Sequence, residues 1–427
     1  MRLRAASFFI AVILATAGSA KAQFVQYTPP GGPEERPEDR KQRLERELEE
    51  ARFRLGAVRV SPVAGLRDAA YVRNLFDSGG ERSDFTVTVA AGVRAYLRTG
   101  PKVTWIGTVV PEYVWWRERE DARRLNQRYG LRTIAFFNRL TLEASAARDE
   151  RQGIVSPEVP ELVSSRADRI GVDAELKLTG ATFLFASAGQ GRQDNIVDEL
   201  DDPRTRSLEL LDREERILRA GLRWRPVSGL TFGVGAERSE VDFERSLRDS
   251  SNSGTGPVLE VVLDRRRVFF QVDLVARSLE AKTGSRFVDF DGVTGGASAS
   301  FELGQRVGMT AYGSRAIVYS LSETQPYMDD RRIGISTRIG LAERLSFRAF
   351  AETGTHRYVA FLPTAPRRSD DLSAVGGGLR FELPGALQIE LSAVRTDFDS
   401  NLPGNDRTYT VGGVTATLGS SWLRGNL

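Results

Sequence analysis

The chain has 427 residues, 27% of them charged and 41% hydrophobic, with one histidine, no cysteine and a formal net charge of +3. Without cysteine there is no disulfide frame, no thiolate metal site and no cysteine nucleophile. Three positive charges, Arg2, Arg4 and Lys21, lie within the first 22 residues, so the remainder is net neutral, which argues against nucleic acid as a partner.

Arg2 and Arg4 make a basic start, Ala5 to Ala17 is apolar, and Ala20-Lys21-Ala22 has the small-x-small form of a cleavage site. Residues 1–22 therefore read as a cleaved Sec signal peptide. A spanning helix needs about 20 apolar residues, and neither this run nor any later one reaches that length, which excludes a helical membrane protein. Residues 23–56 read as a periplasmic linker and charged helix. Proline, glycine and acid dominate 24–40, and Pro37 to Leu55 carries Leu44, Leu48, Ala51 and Leu55 at helical spacing. The apolar stripe is narrow. A solvated periplasmic helix is the default reading, with a plug in a pore mouth or docking on a periplasmic partner as the alternatives.

From 57 to 422 the apolar residues come singly, at period two, in about 18 segments of roughly 10 to 15 residues. Ile170, Val172, Ala174 and Leu176 alternate with Arg169, Gly171, Asp173, Glu175 and Lys177. Val268, Phe270, Val272 and Leu274 likewise alternate with Gln271 and Asp273, and Leu387, Ile389 and Leu391 with Gln388 and Glu390. Soluble strands average about 5 to 6 residues, whereas strands that cross a bilayer need about 9 to 11. The fold class expected is all-β, a closed antiparallel transmembrane barrel with both termini periplasmic.

The connections alternate in length. Short ones fall at 98–102, 137–139, 179–181, 226–229, 265–267, 304–306, 342–343 and 384–385. Longer polar stretches fall at 70–83, 117–126, 150–165, 193–211, 245–255, 281–287, 322–327, 359–371 and 399–405. Short periplasmic turns and long external loops have this asymmetry. With that orientation Trp105, Phe137, Trp224, Phe301 and Phe381 face outward near the periplasmic boundary, and Tyr113 and Trp115 near the outer one, where amphipathic rings favour the membrane interface.

Catalytic material is thin. His356 is the one histidine, Glu352 shares its face, and no nucleophile elbow accompanies them, so a barrel hydrolase or acyltransferase is the rival reading and no enzyme is expected. Asp329-Asp330 and Asp370-Asp371 offer oxygen ligands, though acidic loop pairs are ordinarily just solvated; neither a metal nor a cofactor is expected. Gly376-Gly377-Gly378 lacks the Lys and helix of a phosphate loop and suits close wall packing. The informative chemistry is the inward face. It carries Arg94, Arg132, Arg169, Lys177, Arg219, Arg223, Arg225, Arg277, Arg338, Arg348 and Arg380, interleaved with acids that include Asp173, Glu175, Asp273 and Glu352. Any large barrel has a polar interior. The sharper reading is a ladder for hydroxylated or acidic solutes, with Arg219, Arg223 and Arg225 as the anion contact.

The opening strand VRVSPVAGLRD, the loop YVRNLFDSGGERSD, the strand FTVTVAAGVRAYL and the later YGLRTIAFFNRLTLEASAARDERQ resemble the β-barrel porin 2 family of outer-membrane proteins. The resemblance implies a pore associated with exopolysaccharide secretion, with outer-membrane lipid, the barrel-assembly machinery and periplasmic polysaccharide-export components as partners. A general or solute-selective diffusion porin is the other transport reading. Such barrels typically end on an aromatic residue. This one is expected to close near Trp422, with 423–427 as a tail.

Overall fold

The computed structural model describes residues 30–31, 40–73, 83–120, 122–197, 206–245, 249–304, 306–383 and 387–418. One helix, α1 (Arg40–Glu50), precedes a single antiparallel sheet. A three-residue strand, β1 (Phe53–Leu55), turns through Gly56, at φ 61°, into β2 (Val58–Arg73). Then follow β3 (Ser83–Thr99), β4 (Val103–Trp116), β5 (Arg124–Phe136), β6 (Leu140–Ser156), β7 (Val159–Lys177) and β8 (Thr182–Ile196). After a short 3-10 turn (Ser207–Leu211) come β9 (Arg213–Val227), β10 (Leu230–Phe243), β11 (Asn252–Arg265), β12 (Val268–Ala281) and β13 (Phe290–Leu303). The last six are β14 (Val307–Tyr319), β15 (Tyr327–Ala342), β16 (Leu345–Val359), β17 (Ser369–Leu383), β18 (Leu387–Ser400) and β19 (Arg407–Leu418).

Each strand from β2 to β19 pairs with its sequence neighbours, and β19 pairs back onto β2 from Thr410↔Arg73 to Leu418↔Ala64. The result is a closed barrel of eighteen strands, which satisfies every backbone ladder without an open edge. The barrel is dressed inside out. Along one level the lipid-facing row runs Leu176, Leu184, Leu222, Val234, Leu259 and Leu274, each in register with the next. Outward Ile170 and Val234 are 64% and 58% exposed, while inward Glu112 and Glu237 are 0% and 3% exposed. Large apolar side chains bared and carboxylates buried is the arrangement that water forbids and a bilayer requires. Above the apolar band the outward face turns to exposed ion pairs, Arg148–Asp168, Arg192–Asp194, Arg216–Glu214 and Arg238–Glu240, which set its outer limit.

The short turns close tightly. Gly229 joins β9 to β10 at φ 76°, and a Cβ there would lie 2.1 Å from the Asp264 carbonyl oxygen, so only glycine serves. At the other end most connections are long, with one exception that corrects the sequence reading. Residues 150–165 are not a loop. β6 and β7 continue as a hairpin to a two-residue turn at Pro157-Glu158, paired from Glu150↔Arg166 to Ser156↔Val159. The helix is also shorter than expected: Pro37 to Asp39 lie outside the described residues, α1 ends at Glu50, and Leu55 belongs to β1, where pairing with Val58 holds it extended. No helix among the described residues is long and apolar enough to cross a membrane. The proposed signal peptide, the Pro384-Gly385 turn and the Trp422 terminus lie outside the described residues.

Candidate functional site

Segments of the chain itself enter the lumen at both ends. At the short-turn end α1 lies inside the barrel. Leu44 and Leu48 pack on Tyr96, Ile106 and Ile134 of β3, β4 and β5, and Ala51 and Phe136 flank them. Of the three places open to this helix, it takes the pore mouth. Polar contacts fix it there: Arg94 donates to Glu47 at 2.9 Å, Tyr96 donates to the same carboxylate at 3.3 Å, and Arg59 donates to the Leu48 carbonyl at 2.6 Å. Arg40 reaches Glu143 at 3.6 Å and Asp173 at 3.7 Å. Across the lumen, Gly31 donates to Glu352 at 3.1 Å and accepts from Arg348 at 2.9 Å. It rests 3.9 Å, measured from an ideal Cβ, above the Phe350 ring. That ring can lie on the wall because Gly376 has no side chain; a Cβ at Gly376 would sit 2.4 Å from it. The glycine run of β17 is thus a packing feature.

At the external end the β6–β7 hairpin folds into the mouth. Val155, Val159 and Val163 join a buried cluster with Leu208, Leu211, Val241, Phe287, Phe290, Ile317, Tyr319 and Tyr327. Ile154 touches three further clusters, on Val114 and Trp116, on Met328 and Tyr358, and on Leu372 and Phe398. One side chain therefore meets walls from β4 round to β18. At the hairpin tip, Glu158 accepts from the Leu321 amide at 2.6 Å and the Ser320 hydroxyl at 2.9 Å, with the Arg368 guanidinium at 3.7 Å. Burial pushes its carboxyl up, while these donors pull it down.

Between the closures the wall is a lattice of ion pairs. Arg67 and Arg128 both meet buried Glu112, and Arg128 also reaches Asp149 at 3.1 Å. Arg132 meets Glu143 at 2.8 Å. On β7 to β12, Arg219 donates to Glu237 at 2.6 Å and to Asp273 at 3.1 Å, and Arg277 reaches Glu237 at 2.7 Å. Arg223 spans Glu260 at 2.8 Å and Glu175 at 3.1 Å, and Arg225 shares Glu175 at 2.9 Å. Gly233 stands in register between Arg223 and Glu260 and lets the two meet above it. Arg219, Arg223 and Arg225, expected as the anion contact, thus each already hold carboxylates of the wall.

The remaining expected lining residues also face inward. Arg380 pairs with Glu390 at 2.8 Å, Arg169 is half-buried on β7, and Lys177 is exposed at the short-turn end. Glu352 accepts from Tyr312 at 2.9 Å. Arg338 lies directly across from Arg348, exposed to the lumen, with no carboxylate partner among the described residues. Of the aromatics, Trp105, Tyr113, Phe137, Trp224 and Phe301 are exposed, and Trp224 stacks on Phe232. Trp115 is half-buried, edge-on to Phe85, and Phe381 is half-buried.

His356 is wholly buried, its Nε2 3.3 Å from Asp330 and its ring against Phe398. Asp330 is further engaged by Arg332, Asp329 by Arg315 and Arg331, and Asp370 by Arg368 and Arg407. These carboxylates thus serve guanidiniums, and Asp329 and Asp330, adjacent in a strand, point to opposite faces. Sequence reading missed Glu158, Arg368, Arg407 and Glu112; for Glu158 the signal present was the apolar series Ile154, Val155, Val159 and Val163 within an apparently polar loop.

No protein-family model matches the chain, and no curated protein does. Solved structures do. The barrel is similar to Pseudomonas aeruginosa OccK2 (OpdF) in complex with glucuronate, at 12% identity and TM-score 0.51, covering 85% of this chain and 97% of that one. It is similar also to Pseudomonas aeruginosa OpdO, at 14% identity and TM-score 0.51, covering 84% and 97%. The chain has the fold of outer-membrane channel barrels.

Proposed function

We propose that the protein is a gated outer-membrane channel for acidic saccharides, delivered by a cleaved signal peptide at residues 1–22, and not an enzyme. The observation that carries this reading is the lumen itself: a wall of arginines and carboxylates inside a lipid-facing barrel, entered at each end by a segment of the same chain. A barrel of about 16 to 18 strands is wide enough for an aqueous path once such segments move. Guanidiniums that already hold carboxylates in bidentate fashion can exchange them for a solute's carboxylate and hydroxyls as it passes. Arg338, beside Arg348 and without a carboxylate partner among the described residues, is a guanidinium exposed to the lumen toward the short-turn end. OccK2, similar in fold, was solved with glucuronate, a solute of this class. The sealed position of His356 supports the non-enzymatic reading, since no substrate reaches a ring with no exposed surface.

The resemblance to the β-barrel porin 2 family extends the reading to export of an acidic exopolysaccharide, with periplasmic export components acting on α1, the element that closes their side. Planar-bilayer recording tests the channel. Removal of residues 24–50 is expected to give large steady conductance where the full chain conducts rarely, and glucuronate flux into liposomes should exceed that of neutral glucose. Silent bilayers from both forms would overturn the channel. A clean gene deletion that leaves secreted polysaccharide unchanged would remove the export extension alone.

A further inference from the structure

The external closure contains a second feature that the channel reading leaves unused. On β6, pairing with β5 stops at Arg128↔Asp149; on β7, pairing with β8 starts at Ser164↔Ile196. The hairpin beyond those points is bonded in the ladder only to itself, so it can swing without breaking the barrel wall. Among the described residues its tip is held by the carboxylate of Glu158, in a cradle made by the Ser320 hydroxyl, the Leu321 amide and the Arg368 guanidinium. The cradle belongs to the opposite rim, the β14–β15 and β16–β17 connections. Arg368 also binds Asp370 at 2.7 Å and lies 4.2 Å over the Tyr358 ring, and Arg407 reaches the same Asp370 at 3.4 Å. Two guanidiniums thus face two carboxylates, Asp370 and Glu158, and the departure of Glu158 leaves the rim one negative charge short. Hydroxyl and amide side chains, Ser322, Thr324 and Gln325, follow directly in the β14–β15 connection.

We propose that this cradle is the recognition site for the carboxylate of a saccharide arriving at the external mouth, and that Glu158 is its built-in competitor. The inference rests on the acidic-saccharide reading above and adds the site and the trigger. A solute carboxylate occupies the cradle only after Glu158 has left it, so the ligand binds the open mouth alone. A ligand with that preference shifts the hairpin outward, because it pulls on one of two states and not on both. Hydroxyls of the sugar ring find donors and acceptors in the 320–325 connection, which a simple halide does not use.

The test is calorimetric titration of glucuronate, with glucose as the neutral control, into the full-length protein in detergent. With the internal competitor removed, Glu158→Ala is expected to bind glucuronate about tenfold more tightly than the natural chain, since the competent state is no longer taxed. Glu158→Gln keeps the side-chain volume and should move the same way, which covers the case in which the alanine variant fails to fold. Glucose should bind none of them. Equal affinity in the natural chain and the variants, or loss of binding in the variants, overturns the proposal. The two readings separate cleanly: tighter binding without glucuronate flux would overturn transport and leave the site standing, and flux with unchanged affinity would do the reverse.

Discussion

Glu47 of α1 and Arg94 of β3 form an ion pair at 2.9 Å with both side chains buried inside the barrel. A charge pair placed there holds only while both partners stay, and removing one costs about 3–5 kcal/mol because the other is left buried and uncompensated. Arg94→Ala is therefore expected to release α1 from the mouth. Leu48→Asp, which puts a charge among Tyr96, Ile106 and Ile134, should do the same. Both variants should show higher single-channel conductance and faster tryptic cleavage at Arg43 and Arg46 than the natural chain. Unchanged conductance in both would show that α1 is no barrier.

The external closure should tighten in acid. Asp212, just past the 3-10 turn, has its carboxyl pushed up to about 7 by burial, although it accepts from the Asn195 amide and side chain. A carboxyl whose folded pKa is raised contributes stability that is complete below its ordinary pKa near 4 and is lost as pH rises through the folded value. Hydrogen exchange in 207–212 should therefore speed up several-fold between pH 5 and pH 8. Asp212→Asn should flatten that slope for 207–212; a slope of the opposite sign would contradict the burial argument.

Gly376→Ala should destabilise the barrel, because the new Cβ would lie 2.4 Å from the Phe350 ring. Overpacking of this kind costs about 1–3 kcal/mol. Adding Phe350→Leu should return part of the loss, a coupling that a denaturation series in lipid can measure as a double-mutant cycle.

Val234 stands in the middle of the outward apolar row of β10, between Leu222 and Leu259. Arginine there should cost about 2–4 kcal/mol if that face meets the bilayer core. The same residue placed at inward Ser187, which faces the lumen next to Arg219, should not follow that depth-dependent penalty. Similar stabilities for the two variants would argue that the outer face does not meet lipid.

The strand faces were legible because a wall between lipid and a polar lumen enforces period two, and a residue such as Ile170 or Asp173 has one side open to it. Residues 150–165 were not. Their flanks, Asp149, Glu150 and Arg151 against Ser164, Ser165 and Arg166, are as polar as any loop, and the tip's apolar residues face protein on both sides, so alternation no longer separates lipid from lumen. The position of α1 was open for a related reason: a helix that leans on one wall of a wide barrel needs only the narrow stripe of Leu44 and Leu48. Partners such as Arg223 and Glu260 are 37 residues apart and meet only once the register is known. Sequence showed that the arginines face inward; their neutralisation by carboxylates depends on which strands become neighbours.

The seam of the barrel is built from both ends of the described chain. β19 holds β2 as far down as Ala64, and β1 takes the same edge at Val58, Arg59 and Val60. Until the final strand is in place, β2 presents a naked ladder to any other nascent chain nearby. The three residues of β1 are tethered two residues away and arrive first, so the earliest-made piece of the wall acts as a bookmark for the latest, and keeps strangers from reading from that page.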